Sequence, residues 1–291
     1  MNRKKFLKNT VLGITAAAAA PTAIANVKNE ESSLYDRMMK QVGFNHLPNN
    51  DKPIMKTILH KANTRGNANH GWLQANFSFS FANYYNPQRM HFGVLRVLND
   101  DYIAGGGGFG THPHDNMEII TIPLEGALEH KDSMGNSGVI KRNEVQVMSA
   151  GTGVLHSEFN HSKTETANTL QLWVFPNKRD VQPRYDQLKF DPLARKNQFQ
   201  QILSPNPDDE GVWIHQDAWF HMGNFDAGKK VDYTIRKKGN GVYAFIVDGD
   251  VNINGQELNK RDALGIWDVE KLNISSNSKA EILLLEVPMQ I

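Results

Sequence analysis

From Ile54 onward, apolar residues recur in short runs with the two-residue period of half-buried β-strands. Ile54-Met-Lys-Thr-Ile-Leu59 opens the series, and a Gly/Asn-rich turn follows it. Phe77-Ser-Phe-Ser-Phe81 alternates strictly, which predicts three phenylalanines on one face, in a barrel core. Val94 to Leu98 predicts a strand that ends in a turn at Asn99-Asp100-Asp101. Glu118 to Leu124 is apolar at alternate positions and is closed by Gly126. Asp132-Ser-Met-Gly-Asn136 has turn composition, and Glu144–Met148 and Thr169–Phe175 read as strands that complete a first barrel.

Pro176 to Pro192 is rich in proline and charge and reads as a connection crossing the surface near that barrel. Strand signals then resume at Tyr243–Val247, Val251–Gly255, Asp262–Ile266 and Glu281–Val287, with Asp248-Gly-Asp250 as a turn. The expected class is all-β, with barrels or sandwiches on both sides of the connection.

The first 53 residues follow different rules. Arg3-Lys-Lys5, the alanine-heavy apolar run Val11–Ala20 and the small-residue pattern Ala23-Ile-Ala25 predict an export signal over residues 1–25. The order Arg3-Lys-Lys-Phe-Leu-Lys8 has the form of a degenerate twin-arginine signal, with Sec export or a cytoplasmic location as the alternatives. The apolar run is too short for a confident membrane span. Residues 26–53 are polar, and only Leu34, Met38 and Met39 have the spacing of a short helix.

Composition narrows the function. The chain has 291 residues, enough for one large core or two ordinary ones, and 32 basic against 31 acidic residues give a net charge of +1. No basic stripe suited to nucleic acid stands out. There is no cysteine, so a metal would be held by nitrogen and oxygen donors.

Such donors occur in two pairs. The stretch Gly105-Gly-Gly-Gly-Phe-Gly-Thr-His112-Pro-His114 carries the first, and Gly151-Thr-Gly-Val-Leu-His156-Ser-Glu158 carries the second. On a strand, residues two apart point the same way, whereas on a helix they diverge by about 200°. Pro113 also biases His112 towards extended backbone. Two facing strands would thus bring three imidazoles and a carboxylate round one cation. Glu118 lies four residues past His114 on the same strand parity, and spacing does not choose between it and Glu158. The four glycines lack the lysine and hydroxyl residue of a phosphate loop and read as a lip where backbone approaches the site. His70, Trp72, Tyr84 and Tyr85 are candidates for the rim. His215 and His221, six apart in the second half, read as structural.

The pattern H-x-H-x3-E followed by G-x-G-x2-H-x3-N resembles the two cupin motifs. Gly71-Trp-Leu73, Phe79–Tyr85, Gly110–His114, Met117-Glu-Ile119, Leu124-Glu-Gly126, Asp132–Asn136 and Met148–Glu158 together resemble the pirin family, in particular its bacterial quercetin 2,3-dioxygenase-like branch. The resemblance implies two cupin-type jelly-roll β-barrel domains in tandem, a bicupin. The expected divisions are a metal-binding domain over 54–176, a connection over 177–192 and a metal-free domain over 193–291.

It also implies His112, His114, His156 and Glu158 as ligands of one divalent ion. Fe(II) suits oxygen chemistry best, with Cu, Ni, Mn, Co or Zn as alternatives. The implied substrates are a flavonol such as quercetin and O2, with release of carbon monoxide and with Glu158 as proton acceptor. A non-catalytic, redox-sensing regulatory protein is the competing expectation.

Overall fold

Among the described residues, the two-residue period is realised as twenty-two strands and one short 3-10 turn at Ala62–Thr64. The computed structural model describes residues 54–291, so the export signal read at 1–25 and the polar segment 26–53 lie outside the described residues. Among the described residues, no helix is long and apolar enough to cross a membrane.

The first twelve strands are β1 (Lys56–His60), β2 (Gly66–Asn69), β3 (Leu73–Phe77), β4 (Leu95–Ile103), β5 (Gly108–His114), β6 (Glu118–Glu125), β7 (Ala127–Asp132), β8 (Ser137–Lys141), β9 (Glu144–Ser149), β10 (Val154–Asn160), β11 (Ala167–Val174) and β12 (Arg184–Lys189). The rest are β13 (Phe199–Ser204), β14 (Val212–Trp213), β15 (Trp219–Phe225), β16 (Lys230–Thr234), β17 (Asn240–Asp248), β18 (Val251–Ile253), β19 (Gln256–Leu258), β20 (Ala263–Trp267), β21 (Lys271–Ser276) and β22 (Ala280–Pro288).

Two barrels result, each with a seven-stranded and a four-stranded sheet. The first combines β12-β9-β6-β11-β4-β3-β2 with β5-β10-β7-β8, and the second combines β1-β20-β17-β22-β15-β13-β14 with β16-β21-β18-β19. The chain is therefore all-β and built as two jelly-roll barrels in tandem.

The large sheets meet through one apolar core. Leu98, Ile120, Ile122, Leu170 and Leu172 supply it from the first barrel, and Phe220, Phe245, Leu283 and Leu285 from the second. Because strand side chains alternate, the residues between them on β4, β6 and β11 face the interior of the first barrel instead. Each fully buried aliphatic side chain contributes roughly 1.5–3 kcal/mol, so this shared layer holds the barrels together and leaves the opposite face free to carry polar groups.

Four local expectations are revised. Asn99-Asp100-Asp101 is not a turn but the middle of β4. Asp100 is stabilised there by Arg65 at 3.1 Å and by Arg261, from the second barrel, at 3.2 Å. The three phenylalanines do not share a face, because β3 ends at Phe77. Phe77 and Phe81 remain in contact at 5.4 Å, whereas Phe79 turns away to pack on Tyr243 at 5.3 Å. Residues Lys56–His60, placed with the first barrel by sequence, pair with β20 of the second. Within the proline-rich connection, Arg184–Lys189 forms an edge strand on β9.

Candidate metal centre and its cavity

The histidine pairs sit on adjacent antiparallel strands. His112 of β5 lies directly opposite His156 of β10, and His114 lies opposite Val154. Alternation turns Leu155 outward, where it is exposed, and brings the three imidazoles to one face. Their ring centroids are 4.4 to 4.9 Å apart, and one nitrogen from each lies within 4.8 Å of the others.

Hydrogen bonding shows what these nitrogens can do. The Nδ1–H of His112 donates to the Gly110 carbonyl at 2.8 Å, which leaves Nε2 with its lone pair. His114 Nε2 and both ring nitrogens of His156 are buried with no hydrogen-bond partner among the described residues. Burial, and then neighbouring His112, push His114 down to about 4; the same causes, joined by His114 and His130, push His156 down to about 3. Both rings are therefore neutral near pH 7 and have lone pairs to offer. Buried imidazole nitrogens without partners cost about 1–3 kcal/mol each, and a divalent cation is the chemical species this donor set fits.

Glu158 occupies a second, overlapping group. The β5–β10 register shifts between His156 and Glu158, so that Glu158 pairs with Phe109. Such a bulge re-aims the side chains beside it. On its other edge β10 stays in register with β7, placing Glu158 opposite His130 and His156 opposite Asp132. His130, His156 and Glu158 thus form a fully buried trio with ligand atoms within 4.8 Å of one another.

The Glu158 carboxylate accepts hydrogen bonds from Thr121 Oγ1 at 3.1 Å and Gln171 Nε2 at 2.6 Å. Burial pushes its pKa up, while His130 and those two hydrogen bonds pull it back. Asp132 accepts from His130 Nε2 at 3.1 Å, so Nε2 carries the proton and Nδ1 is left buried without a partner. Hydrogen bonds from Asn136 and His130 outweigh the burial of Asp132 and hold its carboxyl below the usual range.

His130 is absent from the sequence expectation. Its H-x-D spacing with Asp132 is the same two-residue signal as H-x-H, but Asp132 reads by composition as the start of a turn.

Glu118 is not in either group. The strand breaks between His114 and Glu118, so the parity linking them is lost. Glu118 shares the face of Ile120 and Ile122 and accepts from Ser149 Oγ at 2.7 Å. Burial pushes it up to about 7.

The His112–His114 face opens into a cavity of about 650 Å³. His70, Trp72 and Tyr84 line it, as expected from sequence, and Phe77, Phe81, Phe109 and Trp173 add further aromatic wall. Tyr85 is 72% exposed and lies outside the lining. Trp173 stands edge-on to His114 at 4.9 Å, and Trp72 packs edge-on to Phe109 at 5.2 Å. The glycine run makes this possible: a Cβ at Gly108 would overlap the Phe159 ring and the Glu158 carbonyl, so β5 approaches β10 only because Gly108 has none.

In the second barrel, His221 is buried, with Nδ1 3.3 Å from the Tyr233 hydroxyl. It belongs to neither histidine group.

Comparison with known proteins agrees with this architecture. The family model described as Pirin matches residues 59–174, and that described as Quercetinase C-terminal cupin domain matches residues 201–287. Quercetin 2,3-dioxygenase of Escherichia coli K12 is 45% identical over 230 residues, 79% of this chain and 98% of that protein. The crystal structure of YhhW from Escherichia coli has a TM-score of 0.77 at 43% identity, covering 81% of this chain and all of that one. The structure of the bacterial pirin YhhW in complex with nickel(II) gives 0.76 at 42% identity, with the same coverage. With both barrels matched and relatives this similar along most of its length, the chain belongs to the pirin family.

Proposed function

We propose that this protein is a metal-dependent dioxygenase that opens flavonols such as quercetin with O2 and releases carbon monoxide. In this reading His112, His114, His156 and Glu158 hold one divalent ion, iron(II) in the working enzyme. The observation that carries it is the convergence of three imidazoles beside an aromatic cavity, with His112 and His114 in its lining and with buried nitrogens of His114 and His156 left without partners. The name of the relative from Escherichia coli supports the dioxygenase reading, and the nickel in the YhhW structure supports a divalent ion.

A cation bound there supplies Lewis acidity towards a phenolic oxygen and a redox partner for dioxygen. The chain does the rest. Trp72, Phe77, Phe81 and Trp173 exclude water and stack against flat rings. Glu158 takes the proton of the flavonol 3-hydroxyl at Oε1. Oε2 is tied to an amide donor at 2.6 Å, whereas Oε1 meets only the Thr121 hydroxyl at 3.1 Å, which can rotate to accept. Burial makes Glu158 a stronger base than an exposed carboxylate.

The deciding experiment is aerobic incubation of iron-reconstituted protein with quercetin, following carbon monoxide and flavonol absorbance. We expect one carbon monoxide per flavonol consumed. Glu158→Gln should keep most of the metal and lose roughly 10²-fold or more of the turnover. No carbon monoxide with iron, copper, nickel, manganese or cobalt would leave a non-catalytic metal-binding role instead.

We also propose export from the cytoplasm, on the strength of residues 1–25 alone. Cell fractionation that finds the protein only in the cytoplasm would end that proposal.

A further inference from the structure

One set of polar groups in the cavity has no part in holding a cation. Asn99 and Asp101 are two apart on β4, share its inner face and both line the cavity. On the neighbouring β11, Gln171 stands opposite Asn99 and Thr169 opposite Asp101. The Gln171 amide is committed to Glu158. Asn99 Oδ1, Asp101 Oδ1 and Thr169 Oγ1, by contrast, are buried without a hydrogen-bond partner among the described residues. Asn99 is 3% exposed and Asp101 4%.

An acid in the middle of a buried strand is costly unless something answers it. Its neighbour Asp100 is answered on the opposite face by two arginines, whereas no ion pair reaches Asp101 among the described residues. Burial, then the charges of Asp100 and Glu158, push the Asp101 carboxyl up to about 8. An uncharged carboxylic acid offers one O–H donor and retains acceptor capacity. The wall begins one strand-width, ~5 Å, from the residue that grips Glu158, and continues ~7 Å along β4. Around it the lining is largely aromatic.

We propose that Asn99 and Asp101 form a hydrogen-bonding wall for ring hydroxyls, so that the cavity selects planar polyhydroxylated aromatics over equally flat ones that lack those hydroxyls. This rests on the flavonol reading and adds to it the residues that choose among flavonols. A ligand hydroxyl reaching the wall supplies the partners that the protein does not. An equally flat ligand without one leaves buried polar atoms unanswered, and discrimination of this kind is steep because the unpaired groups belong to the site.

The test compares quercetin with 3-hydroxyflavone, which has the 3-hydroxyl and no other. Both are titrated anaerobically into zinc-loaded protein, with tryptophan fluorescence as the readout and metal content measured in parallel. Wild type should bind quercetin roughly ten-fold or more tightly than 3-hydroxyflavone. Asp101→Leu should bring the two within about three-fold at unchanged metal content, and Asp101→Asn should keep most of the preference. Should Asp101→Leu fail to fold, Asn99→Ala and the wild-type ratio decide the matter. A wild-type ratio near one, or full preference retained in both Asp101→Leu and Asn99→Ala, overturns the wall. Carbon monoxide release without ligand preference sinks the wall alone. Ligand preference without carbon monoxide for any metal sinks the dioxygenase reading and leaves the wall standing as a binding site.

Discussion

Gln171 Nε2 donates to Glu158 Oε2 at 2.6 Å, and its own carbonyl accepts from the Trp173 indole at 3.2 Å. Trp173 in turn packs edge-on to His114. One amide therefore links the carboxylate of the candidate centre to an aromatic wall and, through it, to a histidine on another strand. Gln171→Leu leaves Glu158 with Thr121 alone and the indole without its acceptor. We expect the metal-free protein to lose about 1–3 kcal/mol and divalent affinity to fall roughly 10–100-fold. Urea denaturation and chelator competition measure the two effects, and wild-type values in both would show the contact to be idle.

His156 offers a prediction whose sign depends on the metal. Both its ring nitrogens are buried without partners, so His156→Leu removes polar atoms that the metal-free protein does not satisfy. The metal-free variant should melt at or above the wild-type temperature. Added nickel should raise the wild-type melting temperature and leave the variant's unchanged. A variant that unfolds without metal would make His156 a packing residue first.

Asp101 sets a pH dependence. Its folded pKa of about 8 exceeds the ordinary 3.8, so its contribution to stability is complete below about 4 and is lost as pH rises through about 8. Asp101→Asn cannot titrate. The stability of the variant relative to wild type should therefore improve steadily from pH 4 to pH 8. His221, pushed down to about 3 by burial and Arg236, acts in the opposite direction, and its contribution is lost as pH falls below about 6.5. Denaturant midpoints across this range, for wild type and Asp101→Asn, check the sign, and parallel curves would contradict it.

Asp100 joins the barrels. It is 1% exposed, pairs with Arg65 and Arg261, and accepts from Asn168 at 2.9 Å. Removing one partner of a buried ion pair typically costs 3–5 kcal/mol, and Asp100→Ala strands two guanidinium groups. We expect a loss of about that size in chemical denaturation. A loss below about 1 kcal/mol would mean that solvent screens the cluster.

What was legible in the sequence is what depends on local geometry. The two-residue spacing of His112 and His114, and of His156 and Glu158, follows from strand pleating alone, and the all-β class follows from alternation. What was hidden depends on partners far away in the chain. Asn99-Asp100-Asp101 has turn composition, and Asp100 belongs in a strand only because Arg65 and Arg261 answer it. Glu118 keeps strand parity with His114 on paper, but the break between β5 and β6 cancels it. His130 stands near Glu158 through the register of β7 on β10, which no single segment announces. Phe79 leaves its neighbours because Tyr243 waits for it in the other barrel.

The pairing of Lys56 with Trp267 and of His60 with Ala263 carries a consequence for biosynthesis. The first of the described strands to leave the ribosome has to wait for β20, made about two hundred residues later, before it can be zipped into place. A fragment ending near Phe175 would trail an unmatched ribbon, and a fragment starting there would present β20 as a bare edge, open to pairing with a second copy. The two barrels are thus sewn together by the order of translation, and neither half is a natural unit for expression alone.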